Sequence, residues 1–197
     1  MINGQIYVLS GPSGVGKSTV VKKVLESDDN IKLSISATTR AIREGEKEGV
    51  NYYFKTVSEF DKMLSDNQFM EWAEFCGNRY GTPKDKVFEL VEKGADVILE
   101  IETQGAMKIM EAFPETKFIF IAPPSLQELE DRLRSRGTET EEVVLKRLAE
   151  AKRELALAHK YDYLVINNSV EQVAEDILSV IKAERFKVKR QKGHIIF

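Results

Sequence analysis

The chain has 197 residues, 42% hydrophobic and 31% charged, which suits a single globular domain with a full apolar core. A net charge of −3 offers no broad basic field for duplex nucleic acid, and no apolar run reaches membrane-span length. One cysteine, Cys76, excludes an internal disulfide and reads as a half-buried filler. Two histidines argue against a zinc site, and the first residues lack a basic leader, so the cytoplasm is the expected location.

In chain order, Ile6–Ser10 is a short continuous apolar run and reads as a buried strand. "GPSGVGKST" follows, comprising Gly11, Pro12, Ser13, Gly14, Val15, Gly16, Lys17, Ser18 and Thr19. Glycine, four residues, then Gly-Lys-Ser is the spacing of a phosphate loop. Its glycines let backbone N–H groups curl around an anion, and the helix expected from Lys17 points a partly positive end at the same place. Lys17 would reach the outer phosphates and Ser18 would ligate Mg2+. The next strand is predicted over Lys32–Ser36. Residues from about Thr38 to Tyr80 are polar and aromatic-rich, and fit small antiparallel strands around one helix, Ser58–Ser65. Thr82-Pro83 opens a helix that Gly94 ends, before a strand at Val97–Ile101. Strands at Phe118–Ala122 and Tyr163–Ile166 come next, with capping signals at Ser125/Glu128 and Ser169/Gln172. Between them "RLRSRGTETEEVVLKRL" is a second charged excursion. The basic stretch Lys182–Lys192 reads as a solvated helix end and tail.

Strands alternating with helices imply a doubly wound α/β fold with a parallel five-stranded sheet, whose ligands lie beyond the C-terminal strand ends. Gly11–Lys17, Ser36–Arg40 and Glu100–Glu102 all fall there. A core that holds one nucleotide, with two excursions, suggests a second substrate and a cover. Phosphoryl transfer between nucleotides must neutralise two polyanions and exclude water, and arginine forks suit that task. Arg40 and Arg43 lie in the first excursion; Arg132, Arg136 and Arg147 lie around the second. Spacing alone makes Arg132 and Arg136 an ordinary solvated pair and Glu71 a surface carboxylate. Glu71 has a second reading: a carboxylate accepts from both guanine N1–H and N2–H2, with hydroxyls such as Ser36 and Thr82 serving O6, whereas adenine N1 would face its lone pairs.

Seven blocks bring further context: "LSGPSGVGKST", "SISATTRAIREGEKEGVNYYF", "FMEWAEFCGNRYGTP", "LEIETQGA", "FIFIAPPS", "RLRSRGTETEE" and "YDYLVINN". In this order and spacing the chain resembles guanylate kinase nearly end to end. The resemblance implies a P-loop nucleoside-monophosphate-kinase fold, with core 1–37, 83–131 and 159–197, a GMP-binding region 38–82 and a helical lid 132–158. It implies ATP and GMP as substrates and Mg2+ as cofactor, with neither nucleic acid nor membrane as partner, in a monomer or homodimer. By position, Ser36, Glu71, Thr82 and Glu100 would contact guanine. Arg40, Arg43, Tyr52 and Tyr80 would hold the GMP phosphate, and Gly11–Thr19 the ATP phosphates. Arg132, Arg136 and Arg147 would be lid and transfer arginines, with Lys17 and Arg40 also catalytic. Arg136 and Asn167 would serve ATP, and Ser18 and Glu102 the metal. The chain departs from the family in Glu100-Ile101-Glu102-Thr103, where an aspartate pair or Glu-Ile-Asp followed by Trp is common, and in "INNSV", a stretch elsewhere more acidic. Two alternatives stand beside this: a non-catalytic guanylate-kinase-like module that binds phosphopeptides, and a kinase for a different monophosphate.

Overall fold

A computed structural model describes residues 4–75, 77–135 and 140–191, so Cys76 and Arg136 lie outside the described residues. The first apolar run forms β1 (Ile6–Ser10), followed by α1 (Lys17–Ser27) and β2 (Ile31–Leu33). The chain then makes β3 (Ala37–Thr38), β4 (Tyr53–Phe54), α2 (Val57–Ser65), β5 (Phe69–Phe75) and β6 (Asn78–Pro83). It returns through α3 (Lys84–Glu92), β7 (Asp96–Glu100), α4 (Thr103–Ala112) and β8 (Lys117–Ala122). Last come α5 (Leu126–Ser135), α6 (Glu141–Leu155), a 3-10 turn, β9 (Tyr163–Ile166), α7 (Val170–Arg185) and α8 (Val188–Gln191). No helix among the described residues is long and apolar enough to cross a membrane.

Strands β2, β7, β1, β8 and β9 lie side by side in that order, all parallel, as the expected five-stranded sheet. Alternate side chains face opposite ways along a strand, so covering both faces demands apolar residues at every position. Tyr7, Leu9, Ile119 and Ile121 pack on Val20, Val24, Val173 and Ile177 of α1 and α7. From the same strands Val8, Phe118 and Phe120 pack the other way, onto Val87 of α3 and Ile109 of α4. At the edge, β2 stops at Leu33, short of the predicted Ser36, because the chain turns out of the sheet towards β3.

The first excursion is a second sheet in the order β4, β3, β6, β5. Its pairings are antiparallel as expected, except that β3 and β4 run parallel. Helix α2 starts at Val57, because Thr56 and Glu59 form the capping box there. Phe60 of α2 stacks on Phe69 at 4.5 Å between ring centres, over Ala37. Helices α5 and α6 pair through their own small core of Leu129, Leu133, Val144, Leu148 and Ala151.

The basic C-terminal stretch is not a solvated tail as far as Gln191. Arg185 donates to Asp96 Oδ2 (2.6 Å) and Asp28 Oδ2 (2.7 Å), and Arg190 to Asp96 Oδ1 (2.9 Å). Asp96 opens β7 and is fully buried, so a charge inside the fold draws the arginines in.

Candidate active site

The phosphate loop spans β1 to α1 at the C-terminal end of the sheet. Gly16 is the N-cap of α1 at φ 94°, a left-handed conformation that favours glycine, and no side chain caps the helix. Its first-turn N–H groups therefore remain available to an anion. Lys17 Nζ folds back over the loop, donating to the carbonyls of Gly11 (2.5 Å) and Pro12 (3.4 Å). Asn167, at the end of β9, is buried and donates from Nδ2 to the Val15 carbonyl (2.6 Å). Arg132 of α5 reaches the Asn167 carbonyl (3.1 Å) and pairs with Glu128 (2.5 Å). The predicted lid arginine and the predicted ATP contact thus meet behind the loop.

Two carboxylates stand at the C-terminal end of β7. Glu100 Oε1 accepts from Ser18 Oγ at 2.5 Å, so Glu100 stands beside the hydroxyl predicted to bind metal. Glu102 is the N-cap of α4, and the next residue, Thr103, donates to buried Glu154 of α6 (3.1 Å). Burial, then the nearby charge of Glu102, pushes the Glu154 carboxyl above the usual carboxylate range. Arg147 lies two turns before Glu154 on α6, half-buried and on the same helix face.

The second sheet gathers the other predicted residues. Glu71 on β5 is 9% exposed and accepts from Thr82 Oγ1 on β6 at 2.7 Å. Burial raises its carboxyl above the ordinary value, against the opposing effects of the Thr82 bond and the Lys108 charge. Ser36 is half-buried just before β3, and its carbonyl accepts from Tyr53 N (2.9 Å). Arg40 forms a two-pronged bond to Glu46 (2.6 and 3.1 Å) and lies 5.4 Å from the centre of the Tyr52 ring. Tyr52 and Tyr80 meet edge to face at 6.0 Å. Arg43 is exposed, and its backbone N–H donates to Glu46 (2.8 Å). Arg40, Tyr52 and Tyr80 thereby lie together, and Glu46 ties them to the backbone at Arg43.

Glu46, Glu154, Thr103 and Lys108 escaped the sequence reading. Their partners are distant in the chain or in an irregular loop, where neither periodicity nor a motif marks them. Only "REGE" held a signal for Glu46, a carboxylate close to two candidate phosphate arginines.

The guanylate kinase family profile matches residues 3–184. The guanylate kinase of Shouchella clausii is 52% identical over 187 residues, covering 95% of this chain and 91% of that protein. The guanylate kinase of Bacillus subtilis is 50% identical over 188 residues, covering 95% of this chain and 92% of its own. A crystal structure of guanylate kinase from Anaplasma phagocytophilum is similar with a TM-score of 0.75 at 40% identity, covering 95% of this chain and 89% of that one. Similarity in sequence and in fold extends over nearly the whole length, and the chain belongs to the guanylate kinase family.

Proposed function

We infer that the chain transfers the terminal phosphoryl group of ATP to GMP, giving ADP and GDP. The observation that carries this reading is the buried Glu71–Thr82 pair in a chain that also keeps the whole phosphate loop. A non-catalytic phosphopeptide module has no use for Lys17, and a kinase for another monophosphate has no use for a carboxylate acceptor at the base.

We assign the roles as follows, each supported by residue type and, where described, by position. The loop amides and Lys17 bind the ATP phosphates, Lys17 exchanging the Gly11 and Pro12 carbonyls for phosphate oxygens. Asn167 and Arg132 brace the loop from behind. Ser18 and Glu100 offer two adjacent hard oxygens, which fits Mg2+, a cation that takes few protein ligands and shares the phosphates; Glu102 completes the acidic rim. Bound there, Mg2+ would neutralise charge on the phosphate oxygens. Glu71 accepts from guanine N1–H and N2–H2 and the Ser36 hydroxyl donates to O6, while Thr82, whose one hydroxyl proton lies on Glu71 Oε1, holds that carboxylate instead of reaching O6. Arg40, Arg43, Tyr52 and Tyr80 hold the GMP phosphate, one oxygen of which attacks the γ-phosphorus as the bond to the bridging oxygen of ADP breaks. That oxygen is already ionised, so no residue has to remove a proton. Arg147 on α6 approaches on closure of the α5–α6 pair and stabilises the equatorial oxygens, a role that the resemblance gives to Arg136 as well, while closure excludes water as a competing acceptor.

A coupled assay of ADP formation with Mg2+ and ATP, run against GMP, AMP, UMP and a phosphorylated sugar, tests this. Turnover with GMP far above the rest is expected. No turnover with any acceptor would favour the binding module, and preference for another acceptor would reassign Glu71.

A further inference from the structure

Glycine is the poorest helix former after proline, yet Gly105 sits in the first turn of α4 and is buried. What fills its place is Glu71. A Cβ built on Gly105 would stand 2.9 Å from Glu71 Oε2, 3.3 Å from Cδ and 3.5 Å from Cγ, so the helix backbone lies flush against the whole carboxylate head. Oε1 is engaged by Thr82 on the other side. The carboxylate is therefore gripped between a hydroxyl on β6 and bare backbone on α4.

One turn further along the same helix, Lys108 Nζ donates to the carbonyl of Trp72, the residue after Glu71, at 2.9 Å. Its ammonium also lies 5.7 Å from the centre of the Trp72 ring. Lys108 thus clasps the Glu71–Trp72 backbone of the second sheet to a helix of the core. The same cation opposes the effect of burial on Glu71.

We propose that Gly105 is a specificity-determining residue: its missing side chain sets the depth and orientation of the Glu71 carboxylate, and the Lys108 clasp holds it there. This rests on the reading of Glu71 as the guanine acceptor. Two parallel donors from one base demand that the carboxylate plane lie in the plane of the base. A methyl group at 105 displaces Oε2 outward or rotates it out of that plane, because Thr82 holds the other oxygen. The N2–H2 contact is lost before the N1–H contact, so discrimination against inosine monophosphate falls along with affinity for GMP. The ATP phosphates, held at the loop between β1 and α1, are untouched.

The test is steady-state kinetics of Gly105→Ala, Lys108→Met and Glu71→Gln, with GMP, inosine monophosphate and ATP each varied, beside a thermal melt. For Gly105→Ala the KM for GMP should rise about tenfold or more and the preference for GMP over inosine monophosphate should fall at least about fivefold. Its KM for ATP should stay within about twofold, with a melting temperature no lower than wild type, since alanine is the better helix former. Lys108→Met should move the same two GMP quantities in the same direction by about threefold. If Glu71→Gln loses GMP selectivity while Gly105→Ala keeps it, the role of Gly105 is overturned and the reading of Glu71 survives. Unchanged GMP kinetics in Glu71→Gln would remove both. Equal losses for GMP and ATP, or a lowered melting temperature with selectivity intact, would make Gly105 a packing residue only. Should Gly105→Ala fail to fold, Lys108→Met decides alone, and unchanged selectivity there overturns the proposal.

Discussion

Replacing Glu71 by glutamine tests the base-reading site with the smallest change in shape. Thr82 Oγ1 donates to Oε1 at 2.7 Å, so the variant keeps its amide oxygen there and places an NH2 group where Oε2 was. That group points donors at the donors of guanine. The variant loses a charge-assisted hydrogen bond and leaves a buried donor without an acceptor, together about 2–4 kcal/mol. At about 1.4 kcal/mol per decade this is roughly a 30- to 900-fold fall in kcat/KM for GMP. The assay is ADP release at varied GMP with ATP saturating, and inosine monophosphate as the comparison substrate. The wild type should use inosine monophosphate poorly and the variant should discriminate less. A pH arm adds a second readout. Burial holds the Glu71 carboxyl above the usual range, and GMP requires it ionised, so wild-type KM for GMP should climb as pH falls through that raised value. In stability the sign runs the other way for the free protein: a raised carboxyl contributes most below its unfolded value, and the contribution fades as pH rises through the folded one. Glu71→Gln should lack both dependences. Kinetics for GMP unchanged from wild type would refute the reasoning.

The sheet was legible because sandwiching between helices writes itself into unbroken apolar runs such as Ile6–Ser10 and Phe118–Ala122. Where the chain leaves the sheet was not legible. Lys32–Ser36 looks continuous, but Leu33 is exposed at an edge and Ala37 already belongs to the second sheet. Propensity carries no information about which sheet a residue joins. Within the site, the fixed spacing of Gly11–Thr19 gave the phosphate loop its candidate role, whereas Arg40 and Glu71 took theirs from the resemblance, spacing alone leaving Glu71 a surface carboxylate. Glu46, Glu154, Gly105 and Lys108 act through partners that only folding supplies. The basic C-terminal stretch shows the same limit, since nothing local to Arg185 announces the buried Asp96 that holds it.

Lys17→Ala should leave a folded protein with transfer reduced by about 10³ or more, because it removes a charge from the developing transition state; turnover within about tenfold of wild type would deny the loop its role. Arg40→Ala and Arg43→Ala should weaken GMP in a binding titration and leave ATP nearly unchanged, and equal losses for both nucleotides would sink the assignment. Arg147→Ala should lower kcat more than it raises the KM for GMP, since its contact completes only on closure, and a change confined to KM would place it outside the transfer step. The last prediction separates stability from catalysis. Asp96 is fully buried and accepts from Arg185, Arg190 and the backbone of Gln5 (3.0 Å). Asp96→Asn keeps the shape and one acceptor oxygen but leaves two guanidinium groups facing a neutral amide. Breaking a buried pair in this way costs about 3–5 kcal/mol, and the partial exposure of Arg185 favours the lower end. For a chain of this size about 3 kcal/mol corresponds to a fall in Tm of roughly 6–12 °C. Asp96 begins β7 and Glu100 ends it, so the network lies at the opposite end of the strand from the phosphates. Calorimetry should therefore show the lower Tm while kcat and both KM values at 25 °C stay at wild-type levels. A Tm within about 2 °C of wild type would show that the arginines follow Asp96 without stabilising the fold, and α7 would then be held by Ile177, Ile181 and their apolar neighbours alone.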